Sequence, residues 1–150
     1  MAKYNFIELY KGQVPKTITQ RRALLLSVHL AGIYPAGAHT IVLPNIAKGS
    51  IFGDSGGFVR NNSASGQNLT AVSIGLAGED GTAANPTRYA TAISANAQAG
   101  AQFAMNSFAQ SSPVSDADNA SGLAIFFTVA SGTIPLDVII EVPYSDGNND

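Results

Sequence analysis

A chain of 150 residues suits one domain, which can hide roughly 70% of the surface its unfolded form exposes, so a single core is enough. Charged residues make up only 12% of it and its net charge is −2, which excludes the dense cationic surface of a general nucleic-acid binder. It has no Cys, which excludes disulfides, thiolate metal sites and cysteine nucleophiles.

The first 22 residues carry Lys3, Lys11, Lys16, Arg21 and Arg22 against the single acid Glu8, whereas the remainder has three cations against nine acids. Five cations over 22 residues are too dilute for a nucleic-acid arm and suit an electrostatic dock on an acidic protein surface. The aromatic and cationic residues Lys3, Tyr4, Phe6, Lys11, Lys16, Arg21 and Arg22 are the candidate partner-binding set. The other reading of Tyr4–Tyr10 is a strand of the domain's own sheet. The opening has no unbroken apolar run with a small-residue cleavage site, and no stretch approaches the ~20 apolar residues of a membrane-spanning helix.

Strand signals dominate from there on. In Ala23–Ala31, Leu24, Leu26, Val28 and Leu30 share one face at period two, and Leu25, Ser27 and His29 share the other. Tyr34-Pro35-Ala36-Gly37 supplies a turn, and His39–Leu43 reads as a second strand ending at Pro44. The Gly-, Ser- and Asn-rich stretch 45–67 reads as loops with short strands at Ile51-Phe52 and Phe58-Val59. Asn68–Leu76 is a strand, Gly78–Pro86 a loop, and Arg88–Ser94 and Gln102–Ala109 read as strands despite their alanines. Leu123, Ile125, Phe127 and Val129, then Leu136, Val138, Ile140, Val142 and Tyr144, are expected to form a central hairpin turning at Ser131-Gly132-Thr133, with Asp137 and Glu141 on the outer face.

These elements predict an all-β protein: a single antiparallel β-sandwich, jelly-roll-like, with an extended N-terminal segment at residues 1–22, the sandwich at 23–144 and a short acidic tail at 145–150. No convincing amphipathic helix and no internal repeat are visible.

Three motifs invite a chemical reading. Gly53-Asp54-Ser55-Gly56-Gly57 matches the nucleophile loop of chymotrypsin-like proteases, but only His29 and His39 precede Ser55 and no separate acid lies between His39 and the motif, so a turn capped by Asp54 and Ser55 is expected. Gly75–Gly81 lacks the spacing and lysine of a phosphate loop. Asp116–Gly122 alternates oxygen donors as calcium loops do, but Ala120 fills a ligand position and no Glu closes the site. No metal, cofactor or catalytic set is therefore expected. His29 and His39 read as ordinary strand histidines, and Phe103, Phe108, Phe126 and Phe127 as core.

The run LTAVSIGLAGEDGTAANPTRYATAIS, the later run GLAIFFTVASGTIPLDVIIEVPY and the IYPAG turn before a strand together resemble small virion proteins of tailed bacteriophages, over roughly Leu24 to Tyr144. The resemblance implies a capsid decoration (cement) protein that binds and stabilises the shell of the major capsid protein, or alternatively a head or tail fibre module binding a host receptor or glycan. It further implies a virion component made in the host cytoplasm, associated with the major capsid protein or another virion protein, homo-oligomeric and by analogy trimeric, with no enzymatic activity and no nucleic-acid or membrane partner.

Overall fold

A computed structural model describes residues 23–52, 56–78, 84–130 and 132–145. Among the described residues nine strands and two short helices follow in chain order: β1 (Ala23–Gly32), β2 (Gly37–Val42), β3 (Ile51–Phe52), β4 (Gly57–Asn61), β5 (Leu69–Leu76), β6 (Asn85–Ala95), β7 (Ala99–Phe103), α1 (Ser107–Ser111), α2 (Asp116–Ser121), β8 (Leu123–Val129) and β9 (Leu136–Ser145). One sheet has the order β1-β9-β4-β7, with β3 continuing the β4 side of β9, and the other has the order β2-β8-β5-β6. Every pairing is antiparallel. The protein is an all-β sandwich.

The alternation read in the sequence places the core. Val138, Ile140 and Val142 of β9 are fully buried against Leu123, Ile125, Phe127 and Val129 of β8, and Leu30, Val59, Leu69, Ile74 and Tyr89 close the space between the sheets. In β1 the odd-numbered Leu25, Ser27 and His29 face outward, as period two requires.

Two expectations are corrected. The first is the central hairpin. β8 pairs with β2 and β5, β9 pairs with β1 and β4, and the two never pair with each other. Both strands carry a continuous apolar stripe, and placing one in each sheet sets those stripes face to face across the core rather than side by side. The connection before β9 packs on the β1–β2 connection, where a side chain at Gly132 would meet the backbone of Tyr34, Pro35 and Ala36 within 3 Å.

The second correction lies after β7. The strand expected over Gln102–Ala109 ends at Phe103, and α1 and α2 follow. Asn106 caps α1 by accepting from the Ala109 amide at 2.9 Å. In α2 the Ser115 hydroxyl accepts from the Asp118 amide at 3.1 Å while the Asp118 carboxylate accepts from the Ser115 amide at 3.0 Å. This reciprocal capping satisfies two orphan donors of a one-turn helix. β9 also reaches Ser145, one residue into the expected tail.

Strands β5 and β6 are irregular. Register shifts interrupt both the β5–β6 and the β5–β8 ladders, and Ala71 and Ala92 take left-handed backbone angles of φ 50° and 55° at mid-strand. Such bulges accentuate sheet twist. At Gly75 the start of β6 crosses so closely that a methyl group would fall onto the Asn85 and Pro86 backbone, so only glycine fits.

Candidate interaction surfaces

All four strands of the second sheet contribute residues to a depression on its outer face. Thr40, Ser73, Thr91, Ala92, Phe126 and Thr128 line a shallow open depression of about 430 Å³ with no charged side chain among its lining residues. Ala71 and Ala92, the two left-handed alanines, both border it. Phe126 is half-buried here, whereas its neighbour Phe127 points into the core at 2% exposure. There Phe127 stacks on His39 at 5.4 Å and meets Tyr34 edge-on at 5.7 Å.

The outer face of the first sheet is different in character. His29 Nε2 lies 2.7 Å from an Asp137 carboxylate oxygen, with both side chains about half exposed. Arg60 lies over the Phe58 ring at 5.4 Å, and Glu141 stands opposite Phe58 on one side and Ser27 on the other. Leu25 is 55% exposed at the end of this face.

A third cluster holds the helices to the sandwich. The Arg88 guanidinium pairs with the buried Asp118 carboxylate at 3.1 Å and lies over the Phe108 ring at 4.3 Å. Tyr89 is fully buried beside this pair, and its hydroxyl has no hydrogen-bond partner. Burial pushes the Tyr89 hydroxyl up to about 12, the Asp118 carboxylate adds to the rise, and the Arg88 guanidinium opposes it. Asn119 clamps the Ile46 backbone from the same helix, donating to its carbonyl at 2.8 Å and accepting from its amide at 3.1 Å.

The residues singled out from the sequence fall as follows. Lys3, Tyr4, Phe6, Lys11, Lys16, Arg21 and Arg22 lie outside the described residues, as do Gly53, Asp54 and Ser55. The remaining glycines of that motif have a packing reason: the Phe103 ring covers Gly57, and the Phe103 carbonyl crowds Gly56, which has φ +75°. In Asp116–Gly122, Asp118 serves the helix cap and the Arg88 ion pair and Asn119 clamps Ile46, while the exposed Asp116 carboxylate lies 3.5 Å from Lys48 Nζ and the buried Ser121 hydroxyl has no hydrogen-bond partner; the segment folds as helix α2. His39 Nε2 lies 2.7 Å from the Pro35 carbonyl. Of the four phenylalanines placed in the core, only Phe127 is fully there; Phe103 is half-buried and Phe108 is 40% exposed under Arg88. Among the described residues no three His, Asp or Glu side chains gather as a metal site, and no helix is long and apolar enough to cross a membrane.

No family model matches the chain, and no curated protein matches it. Two solved structures are similar in chain trace. A chain of the cyanophage Pam1 capsid asymmetric unit is 16% identical over 89% of this chain and 91% of that chain, with a TM-score of 0.46. A chain from Bacillus endospore appendages, described as a novel family of disulfide-linked pili, is 12% identical over 87% of this chain and 93% of that chain, with a TM-score of 0.45. At these identities no residue role passes from either protein to this one.

Proposed function

We propose that this protein is a non-enzymatic structural component of a virion that decorates and stabilises the shell of the major capsid protein. The observation that carries the reading is the uncharged outer face of the second sheet, a four-strand surface of Thr, Ser and Ala with Phe126 among them. Docking such a face desolvates no charge, and Phe126 offers the aromatic anchor on which interface energy concentrates. Contacts too weak to hold one copy become lasting when the subunit is oligomeric and the shell repeats its sites. The strand orders β1-β9-β4-β7 and β2-β8-β5-β6 support the reading as well, because they are what a jelly-roll winding of the chain produces, an architecture used by viral capsid domains and also by lectins and cupins.

On this reading the particle is of the tailed-bacteriophage type, the chain is made in the host cytoplasm, and it sits on the shell as a homo-oligomer, a trimer by analogy. The test is affinity isolation of the tagged chain from infected cells, beside a Thr128→Lys variant that places one charge on the docking face. The intact chain is expected to bring down the major capsid protein and the variant to lose it. Capture of a host-surface glycan or receptor instead identifies a fibre module. Labelling of Ser55 by a fluorophosphonate probe contradicts the non-enzymatic reading.

A further inference from the structure

Strand β1 is an edge of the first sheet, and among the described residues nothing pairs with its outer side. Its 10 residues run in unbroken register with β9, from Ala23 opposite Ser145 to Gly32 opposite Leu136. It contains no proline, no lysine and no bulge, the devices with which proteins blunt an open edge. The other long edge strand, β6, carries Pro86 and Arg88. The space between the sheets is also incompletely closed on the β1 flank: Leu24, Leu26 and Val28 of β1 and Ile41 of β2 are only half-buried, whereas Leu30 is 1% exposed. On the outer face Ser27 stands beside Glu141, which takes part in no ion pair among the described residues.

We propose that β1 is a homotypic joint, to which β1 of a second copy of this chain adds antiparallel about a two-fold axis at Val28, so that two first sheets become one. The occupant is read from the strand itself, because a two-fold contact sets the same patch of both copies against each other and so requires self-complementarity. With the axis at Val28, Leu25 faces Ala31, Leu26 faces Leu30 and Ser27 faces His29. Each large outward side chain then meets a small one, and inward Leu26, Val28 and Leu30 carry the apolar core from one copy into the next. An axis at Ser27 instead sets Leu25 against His29 and the serine against itself, and an axis at Leu26 leaves Ala31 outside the paired length.

Charge selects the same register. His29 of the second copy arrives on the far side of Ser27 from Glu141, and imidazole and carboxylate face each other over that small side chain, twice in the pair. The two Glu141 carboxylates themselves are three strand widths and two residues apart, ~16 Å, which exceeds the screening length of ~8–10 Å. Main-chain hydrogen bonds supply the affinity, and these side chains fix the register. The joint is independent of shell attachment, and where the chain is trimeric it links one trimer to another.

The mass of the purified full-length chain by sedimentation equilibrium, with no particle present, is the first test. Val28→Lys brings two ammonium groups together at the axis and is expected to halve that mass. The absence of cysteine makes disulfide trapping a clean second test. Leu25→Cys and Ala31→Cys copies, both at exposed positions, are mixed and mildly oxidised. Mixed dimers are expected to exceed the self-dimers of either variant, because only the mixed pair is directly opposed. Thr40→Cys, exposed on the other sheet, supplies the background. Thermal midpoints establish that each variant folds, and trapping decides alone if Val28→Lys does not. The proposal is overturned if the parent's mass is that of a monomer or a single trimer, if a folded Val28→Lys variant keeps the parent's mass, or if mixed dimers do not exceed the Thr40→Cys background.

Discussion

Phe126 and Phe127 are adjacent in the chain and opposite in consequence, because successive side chains of β8 leave opposite faces of the sheet. Phe127 is 2% exposed between His39 and Tyr34, so Phe127→Ala is expected to cost ~3–5 kcal/mol by urea denaturation. Phe126→Ala should lower the monomer's midpoint far less and weaken particle binding more. Equal losses of stability would contradict the face assignment. Tyr89 makes a sharper test. Its folded value of about 12 lies above the ordinary 10.0, so the unfolded chain releases this proton first as pH rises. The group's stabilising contribution is therefore complete below pH ~10 and falls by ~1.4 kcal/mol per unit until pH ~12. Tyr89→Phe removes a buried hydroxyl that has no partner. It is expected to stay within ~1 kcal/mol of the parent at neutral pH and to outlast it above pH 10 in urea midpoints. A variant with the parent's alkaline slope would contradict the assignment.

At the scale of elements, strands were legible wherever one face is wholly apolar, as in β1, β8 and β9, because period two is then the only pattern that buries the stripe. The helices were hidden. α1 and α2 have 5 and 6 residues, too short to show an amphipathic period, and Ser115-Asp116-Ala117-Asp118 carried a capping-box signature that the calcium-like alternation of oxygens obscured. What fixes α2 is its tertiary partner Arg88, 27 residues before the helix cap in sequence, which no local pattern announces. The two sides of that ion pair are unequal. Asp118→Ala leaves a guanidinium that is partly exposed and rests on Phe108, and is expected to cost ~1–3 kcal/mol. Arg88→Ala leaves a carboxylate that is 6% exposed without its counterion and is expected to cost more, ~3–5 kcal/mol. Chemical denaturation of the two variants side by side decides the order, and the reverse order would contradict the burial asymmetry.

For the molecule as a whole, composition foretold the uncharged surface but not its location. That a 12% charged chain must present uncharged surface follows from counting. That Thr40, Ser73, Thr91, Phe126 and Thr128 meet on one face follows from the pairing of β2, β8 and the β5–β6 pair, which are far apart in sequence. The same holds for the β8–β9 crossover, since two adjacent apolar strands fit a hairpin and a two-sheet core equally well until the partners β1 and β2 are placed. The cationic N-terminal set lies outside the described residues, so its reading as a docking segment stays an expectation of the sequence. The central claim is that this chain is a many-copy structural part of a virion. Quantitative mass spectrometry of purified particles measures it most directly: the chain is expected in a fixed, high ratio to the major shell protein, and its absence from particles, or its presence at only a few copies on each, would contradict the account.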